Sequence, residues 1–280
     1  MQKVALVSVM LLALAAPIVS ASDEISPLTK YFLDDFRLSE TPAWQIEEST
    51  TEYSGDTSLK AFPKKLGRNF AGLVAQDNFA PLIAGVFGSA FSSTLDRDVY
   101  SYFADKDRLG GIDNFGEKLG GATIVTAAAA TVFLTSRLSD NQKFRSFAYS
   151  LAQSYIIANT VTVGLKYSAN RLRPDGSNNL SFPSGHTANA FTFATVISHY
   201  YGKKAAIPSF IGAAFIGATR VGKNMHYVSD VIAGATIGYI VGRTVVRDQV
   251  PLQHRKAQIF WAPAFSPTGG GAGLSLTIRF

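Results

Sequence analysis

The sequence contains no cysteine, and only four of its 280 residues are histidine. Disulfide bonds and thiolate metal ligands are therefore excluded, and the isolated histidines make poor ligand sets by themselves. The chain is also not hydrophobic throughout, because its mean hydropathy is only +0.13 although 47% of the residues are apolar. That value leaves both a soluble and a membrane-embedded protein open.

Acidic side chains are scarce over most of the chain. Residues 22–60 hold nine acids and three bases, whereas residues 61–280 hold 11 acids and 22 bases. A basic core favours an anionic substrate or a membrane surface as partner. Nucleic acid is not expected, because the bases are scattered through apolar segments without a basic aromatic stripe. The composition does not indicate an oligomeric state.

Residues 1–21 have the pattern of a secretory signal peptide. Lys3 supplies the positive start, residues 4–19 form the apolar stretch, and residues 19–21 are a small-residue cleavage site. An uncleaved anchor is the alternative, but the apolar run is short for a membrane span. In either case the following residues begin outside the cytoplasm.

Residues 69–250 predict an all-α domain, a helical bundle of about six core helices. Helix-forming segments occupy residues 69–95, 120–136, 142–166, 186–201, 205–219 and 227–246. The first should break or kink near Asp77 or Pro81. Residues 96–119 are interpreted as a connection, and Ser139-Asp140 is a candidate cap for the helix that starts near Gln142.

Two further regions flank this domain, an N-terminal extension at residues 22–68 and a tail at residues 251–280. In the tail, residues 274–280 alternate strictly between apolar and polar, which is a strand pattern. Residues 258–265 could pair with them across a glycine-rich turn. We therefore predict a small C-terminal β-hairpin that packs on the helices.

Three blocks of cationic and imidazole side chains are separated by long apolar segments. In chain order they are Lys166-x6-Arg173-Pro174, Pro183-Ser184-Gly185-His186 and Thr219-Arg220-x5-His226-x3-Asp230. Their positions at the ends of helical segments predict one anion site assembled from three loop–helix junctions.

His226 and Asp230 are four residues apart, which places both on one face at the start of a helix. A carboxylate there can hold one ring nitrogen and raise the basicity of the other, as a nucleophilic imidazole requires. Considered alone, the pair is better explained as an ordinary helix contact.

The second block precedes another helix. Gly185 lets the backbone approach a ligand closely, and the first amides of the helix point at an anion with the helix dipole behind them. His186 at that position could protonate a leaving oxygen. The alternative for this block alone is a plain turn with a capping serine.

Lys166, Arg173 and Arg220 lie at the ends of apolar segments and could clamp the three non-bridging oxygens of a phosphate. The alternative is snorkelling at helix ends. Arg171 fits no fixed position, so we leave it outside this set.

Together the blocks resemble the signature of the type-2 phosphatidic acid phosphatase/vanadium haloperoxidase superfamily, over about residues 70–246. That signature is Lys-x6-Arg-Pro, Pro-Ser-Gly-His and Ser-Arg-x5-His-x3-Asp, and Thr219 in place of serine is the one departure. The resemblance implies a phosphatidic acid phosphatase-like hydrolase in which His226 forms a phosphohistidine and Asp230 orients it. His186 would act as acid and then as base. The phosphoryl group would be held by Lys166, Arg173, Ser184, Gly185 and Arg220, with no metal or other cofactor.

The leading expectation is a phosphatase for phosphate monoesters outside the cytoplasm, with lipid phosphates favoured. Candidate substrates are phosphatidate, phosphatidylglycerol phosphate, polyprenyl diphosphate and lipid A; a nonspecific acid phosphatase for soluble esters comes next. A vanadium-dependent haloperoxidase shares the anion pocket, but the short and heavily apolar chain disfavours it. A non-catalytic scaffold would be expected to have lost a site histidine or arginine, and none is lost.

Two arguments about location oppose each other. Six spans with outward-facing active loops would put the other basic loops inside, as the positive-inside rule prefers. A signal peptide starts the mature chain outside, and taking residues 69–95 as the first span then puts the active loops inside. Residues 205–219 are also short, at 15 uncharged residues, against about 20 for a span. We expect a periplasmic domain, soluble or peripheral, with an integral inner-membrane protein as alternative.

Overall fold

The computed structural model describes residues 55–104, 122–249, 258–265 and 272–279. The predicted signal peptide and residues 22–54 of the predicted N-terminal extension lie outside these residues. The helices are α1 Phe62–Ala71, α2 Phe79–Ser93, α3 Asp96–Ala104, α4 Ala122–Arg137, α5 Gln142–Ala169, α6 Gly185–Gly222 and α7 Val228–Asp248, with 3-10 turns at Gly72–Val74 and Gln76–Asn78. The prediction of a mainly helical domain is confirmed.

Helix α6 is two helices joined at Gly202. That residue has φ 69° and ψ −166°, a backbone conformation that glycine adopts without the steric cost of a side chain. The two halves run back along each other, since the rings of Phe191 and Phe210 are 6.0 Å apart and Gly217 lies against Thr187. The separate helices predicted for residues 186–201 and 205–219 correspond to these halves.

Helix α7 packs against the start of α6 with almost no side chain between the two backbones. A Cβ atom on Gly234 would lie 2.4 Å from the Ser184 carbonyl oxygen, and one on Gly238 would lie 2.3 Å from that of Ala188. Glycine is therefore required at both positions for this approach. The contact brings the beginning of α7 beside the beginning of α6, where two of the three sequence blocks lie.

Helix α5 completes the interior by packing on both α6 and α7. Phe147 and Leu151 of α5 contact Val196 and Tyr200 of α6, while Ile157 of α5 packs near Val241 and Val245 of α7. Burial of these side chains is the main stabilising term for the bundle. It also fixes the C-terminal end of α5, and with it Lys166, relative to the other two helices.

The first predicted helix does bend, as expected. Phe62–Val74 and Gln76–Ser93 meet at 59°, because Ala75 has extended backbone with ψ 148°. The break therefore lies just before Asp77. Among the described residues, α6 has the length and composition of a membrane span when its two halves are taken as one 38-residue helix. The bent pair would count as a second candidate if taken as one segment.

Two local predictions were wrong. Residues 96–119 were expected to be a connection, but α3 occupies Asp96–Ala104, with two acids in its first turn that favour a helix start. The cap of α5 is Asn141, whose side chain accepts a hydrogen bond from the Phe144 amide at 3.0 Å. The Ser139 hydroxyl accepts from the Asn141 amide instead.

Two segments near the end of the chain have strand backbone. β1 Gln258–Phe265 and β2 Ala272–Arg279 pair antiparallel, from Gln258 opposite Arg279 to Phe265 opposite Ala272. Their side chains lie outside the described part of the structure, so a hairpin that packs on the helices stays a prediction.

Candidate active site

Backbone hydrogen bonds join the three loop–helix junctions. The Ser184 amide, before α6, donates to the Asp230 carbonyl oxygen in the first turn of α7 at 3.0 Å. The Asp175 amide, in the loop after α5, donates to the Asn224 carbonyl oxygen in the loop before α7, also at 3.0 Å. The three sequence blocks therefore converge at one end of the bundle, as predicted.

Lys166 lies in the last turn of α5 and points at the loop that precedes α6. Its ammonium donates to the carbonyl oxygen of Leu180 at 2.5 Å and lies 3.5 Å from that of Ser181. Burial, followed by the nearby charge of Arg173, lowers the pKa of Lys166 to about 8. Since its described partners are neutral carbonyl groups, its positive charge is not offset by a paired carboxylate.

The backbone of Arg173 is fixed by hydrogen bonds, whereas its guanidinium makes a weak contact with a sulfur atom. Its amide donates to the Asn178 carbonyl oxygen at 2.9 Å, and its own carbonyl oxygen accepts from the Gly176 amide at 3.0 Å. Nη1 contacts the Met225 sulfur at 3.7 Å, a weak acceptor, and Nε is buried without a hydrogen-bond partner among the described residues. Donors are therefore left over for an anion.

No side chain in the described part of the chain caps the first backbone amides of α6. Ser184 is the N-cap, but its buried hydroxyl accepts a hydrogen bond from the Thr187 hydroxyl at 2.9 Å and caps no amide. A Cβ atom on Gly185 would meet only Thr162 at 3.5 Å and Lys166 at 3.9 Å, both ordinary contacts. No described protein atom requires glycine there, which fits a position kept clear for a ligand.

His186 and Arg220 come from the two ends of α6. His186 is half-buried in the first turn, and Arg220 is fully buried in the last. The Thr219 hydroxyl accepts from Arg220 Nη2 at 3.4 Å, so threonine keeps a hydroxyl where the signature has serine. The Arg220 carbonyl oxygen accepts from the amides of Met225 and His226. Arg220 thereby anchors the loop that carries the third block.

His226 is buried, with 3% of its surface exposed, and its Nδ1 lies 3.6 Å from Oδ2 of Asp230. That separation is longer than a hydrogen bond. Burial lowers the pKa of His226, and the cations Lys166 and Arg173 lower it further, while Asp230 opposes them. The imidazole is therefore neutral near pH 7, the form in which a ring nitrogen can attack.

Asp230 is completely buried, and its carboxylate is engaged on several sides. Oδ2 accepts from the Tyr227 amide at 2.9 Å and from the Ser181 hydroxyl at 2.5 Å, and Oδ1 accepts from Arg171 at 2.7 Å. Burial would raise the pKa of Asp230, but these hydrogen bonds together with the neighbouring His226 lower it. The ionised carboxylate fixes this junction; the orienting of His226 stays a prediction.

Two contributors to the site were missed in the sequence. Ser181 directly precedes the second block, and Asp96, at the start of α3, reaches Arg171 and the first turn of α7. A buried acid at a helix start is a weak signal in sequence, so Asp96 could not be connected to the motifs. Where the structure describes the chain, it contains no group of three or more His, Asp or Glu side chains placed to hold a metal.

His199, near the end of the first half of α6, lies outside the three blocks. Its ring packs edge-to-face against Tyr200 at 5.1 Å, and desolvation lowers the pKa of His199 to about 4. His254 lies outside the described residues.

Residues 144–253 match the model of the PAP2 superfamily. All three blocks lie within that range. The resemblance inferred from the motifs is thereby confirmed for this segment of the chain. The domain boundaries predicted at residues 69 and 250 stay predictions.

Named relatives are similar to parts of this chain. The lipid A 1-phosphatase of Porphyromonas gingivalis is 45% identical over 80 residues, which are 28% of this chain and 18% of that protein. The crystal structure of Aquifex aeolicus LpxE gives a TM-score of 0.46 at 25% identity, over 55% of this chain and 95% of that one. A transmembrane PAP2-type phosphatidylglycerolphosphate phosphatase from Bacillus subtilis gives 0.44 at 19% identity, over 66% and 94%.

Proposed function

We propose that this protein is a phosphatase that hydrolyses phosphate monoesters of lipids through a phosphohistidine on His226. One observation carries the proposal: a buried neutral imidazole lies where two cations with neutral hydrogen-bond partners, Lys166 and Arg173, meet the uncapped start of α6. Phosphoryl transfer requires mainly positioning and stabilisation of charge on the equatorial oxygens, and this arrangement supplies both.

In the first step Nε2 of His226 attacks phosphorus and the ester P–O bond breaks. Because Nδ1 is on the side of Asp230, Nε2 is the ring nitrogen on the opposite side. The leaving oxygen takes a proton from His186 in the first turn of α6. The phosphorylated imidazole gains positive charge, which the ionised Asp230 stabilises.

In the second step water attacks the phosphohistidine. His186, now neutral, takes a proton from that water, the P–N bond breaks, and inorganic phosphate leaves. His226 returns to the neutral form and His186 to the protonated form, so protons balance over the cycle. Throughout, the phosphoryl oxygens are held by Lys166, Arg173, Arg220 and the backbone at Ser184 and Gly185. No metal or other cofactor takes part in these steps.

A lipid substrate is supported by how apolar side chains are distributed. On α2, Ile83, Phe87 and Phe91 are 54%, 72% and 65% exposed, whereas polar side chains such as Gln153 and Ser150 are fully buried within the bundle. Several large exposed apolar side chains on one helix form a patch that is unusual on the surface of a water-soluble domain. It suits a protein that meets its substrate at a lipid surface. The matching relative from Porphyromonas gingivalis bears the name of a lipid phosphatase.

We place the protein at the outer side of the cytoplasmic membrane, in contact with lipid. The exported start predicted for residues 1–21 and the exposed apolar faces of α2 and α6 support this location. A carbonate wash of membranes separates the two forms considered: release indicates a peripheral periplasmic protein, and retention until detergent indicates an integral one. Recovery in the aqueous fraction before any wash would contradict the lipid contact.

Release of inorganic phosphate from a panel of esters tests the function. The full chain, purified in detergent, is assayed on lipid A, phosphatidate, phosphatidylglycerol phosphate and p-nitrophenyl phosphate. We expect the lipid esters to be hydrolysed faster and vanadate to inhibit. No phosphate release from any ester would refute the proposal. Halide oxidation that requires vanadate and peroxide would identify a haloperoxidase instead.

A further inference from the structure

Arg171 is a cation near the site that the three-block signature does not use. Its Nη1 donates to the Ser229 hydroxyl and to Oδ1 of Asp230, both at 2.7 Å, and its Nη2 donates to Oδ2 of Asp96 at 2.8 Å. Its guanidinium also lies over the Tyr227 ring, 4.2 Å from the centroid. Unlike Lys166, this cation is fully committed to protein partners.

Asp96 connects this arginine to a helix outside the motifs. It is the first residue of α3, and its carboxylate also accepts from the Ser229 amide at 3.1 Å and from the Ser229 hydroxyl at 2.5 Å. Arg171, Asp96 and Ser229 therefore tie together the loop after α5, the start of α3 and the first turn of α7. These are the elements that surround Asp230.

The charged side chains of this network differ in their solvent exposure. The side chains of Asp96 and Asp230 are 6% and 0% exposed, while that of Arg171 is 32% exposed. One guanidinium thus lies between two buried carboxylates and donates to both. Removing it would leave both buried acids without their cation. Charged or titratable groups that face Asp230 from the packed elements are Asp96 of α3, Lys166 of α5, Arg171, and His226 and Tyr227 before α7.

We propose that Arg171 and Asp96 form a brace that positions Asp230, and through it His226, without touching the phosphoryl group. Arg171 is then a positioning residue, and Asp96 is its anchor. The inference rests on the proposed phosphatase function for its kinetic consequences. Its structural part, the mutual dependence of Arg171 and Asp96, stands on the observed hydrogen bonds alone.

The variant Arg171→Gln separates positioning from substrate binding. We expect kcat to fall about 10- to 100-fold, as for a small misplacement of a catalytic group, with little change in KM for p-nitrophenyl phosphate. The acid limb of the pH profile should move to higher pH, because Asp230 loses its cation and takes up a proton more readily. A raised KM with unchanged kcat and pH profile would show instead that Arg171 binds phosphate, and would overturn the brace.

A second substitution, at Asp96, tests whether this residue anchors Arg171. It also distinguishes loss of the brace from general misfolding. Arg171→Gln combined with Asp96→Asn removes one of the two buried charges, so kcat and the thermal unfolding midpoint should recover relative to Arg171→Gln alone. Additive losses from the two substitutions would overturn the brace. Arg97→Gln, at an exposed residue next to Asp96, is the matched control and should behave as wild type.

Failure of the phosphatase proposal would look different. In that case the wild-type chain hydrolyses no ester in the panel, and the brace is judged on unfolding midpoints only. Recovery of the midpoint in the double variant would still support the brace, and absence of that recovery would overturn it.

Discussion

Two pairs of cations at opposite ends of the helical bundle have different partners. At the end away from the site, Arg68 pairs with Asp248 at 2.6 Å and Arg247 pairs with Asp77, so these two guanidinium groups each face a carboxylate. At the site end, Lys166 contacts backbone carbonyl groups and Arg173 contacts a sulfur atom. Cations paired with acids stabilise helix ends, whereas cations left with neutral partners retain their charge for a ligand.

The comparison explains why a count of basic residues says little about function. The basic balance after residue 60 comes from both ends of the bundle, and within the described residues the site end is where Lys166 and Arg173 lie near His226 and the uncapped start of α6. Substitutions at the two ends should therefore separate loss of activity from loss of stability.

The largest effect is expected for His226→Ala. Turnover should fall below detection because the nucleophile is removed, while the unfolding midpoint stays close to that of wild type. Single-turnover assays with labelled ester should show no phosphorylated protein. Undiminished hydrolysis would refute the nucleophile assignment.

The next largest effect is expected for Arg173→Ala, with Arg68→Ala as its counterpart at the other end. Loss of a charge-stabilising donor should lower kcat/KM by about 10²- to 10³-fold. Arg68→Ala should leave kcat/KM unchanged and cost about 1 kcal/mol of unfolding free energy, since the Arg68 side chain is 53% exposed. Equal kinetic losses in the two variants would abolish the distinction between the ends.

Asp230→Asn should reduce kcat less than His226→Ala, because Asp230 orients and does not attack. It should cost more stability, since the carboxylate accepts from Tyr227, Ser181 and Arg171. A loss of about 1–3 kcal/mol is expected for disturbing buried hydrogen bonds. Chemical denaturation together with kinetics measures both. A kinetic loss as large as that of His226→Ala would indicate a different role for Asp230.

Two glycines give a finer contrast within the site. Gly185→Ala should fold normally, because its Cβ would meet atoms no closer than 3.5 Å, but KM and the vanadate inhibition constant should rise as the methyl group occupies ligand space. Gly234→Ala should lower the unfolding midpoint, because its Cβ would lie 2.4 Å from a backbone oxygen. If Gly185→Ala also unfolds early, the ligand explanation for that glycine is wrong.

The smallest effect concerns pH. Burial lowers the pKa of Lys166 to about 8, so the ammonium loses its proton as pH rises through that value. Phosphate binding should weaken accordingly, and kcat/KM, which reports the free enzyme, should decline above about pH 8. In Lys166→Arg this alkaline decline should disappear or move upward, because arginine stays charged. If the alkaline decline of kcat/KM stays at the same pH in Lys166→Arg, a group other than Lys166 causes it.

Much of the site was predictable because its chemistry is concentrated in short segments. Lys166, Arg173, His186 and His226 were each identified from spacing at helix ends, and the structure brings their junctions together. The helical class followed from apolar segments of helix length. These features depend on local sequence, which is what spacing arguments can detect.

Long-range partners were not predictable in the same way. Asp96 lies 75 residues before Arg171, and nothing in the sequence states that they meet. The cap at Asn141 was misassigned because several capping residues stand side by side and only geometry selects one. The close approach of α7 to α6 at Gly234 likewise depends on how two helices cross.

That close approach has a consequence for how a substrate can be accommodated. Because its backbone lies directly on the first turns of α6, α7 cannot shift without moving the α6 amides, so the proposed nucleophile and the proposed oxyanion donors are held in a fixed relation. Under the proposed function, little reorganisation is then needed when charge develops during reaction. We therefore expect selectivity to be altered more readily through the loop that bears Arg173 than through the contact between α6 and α7.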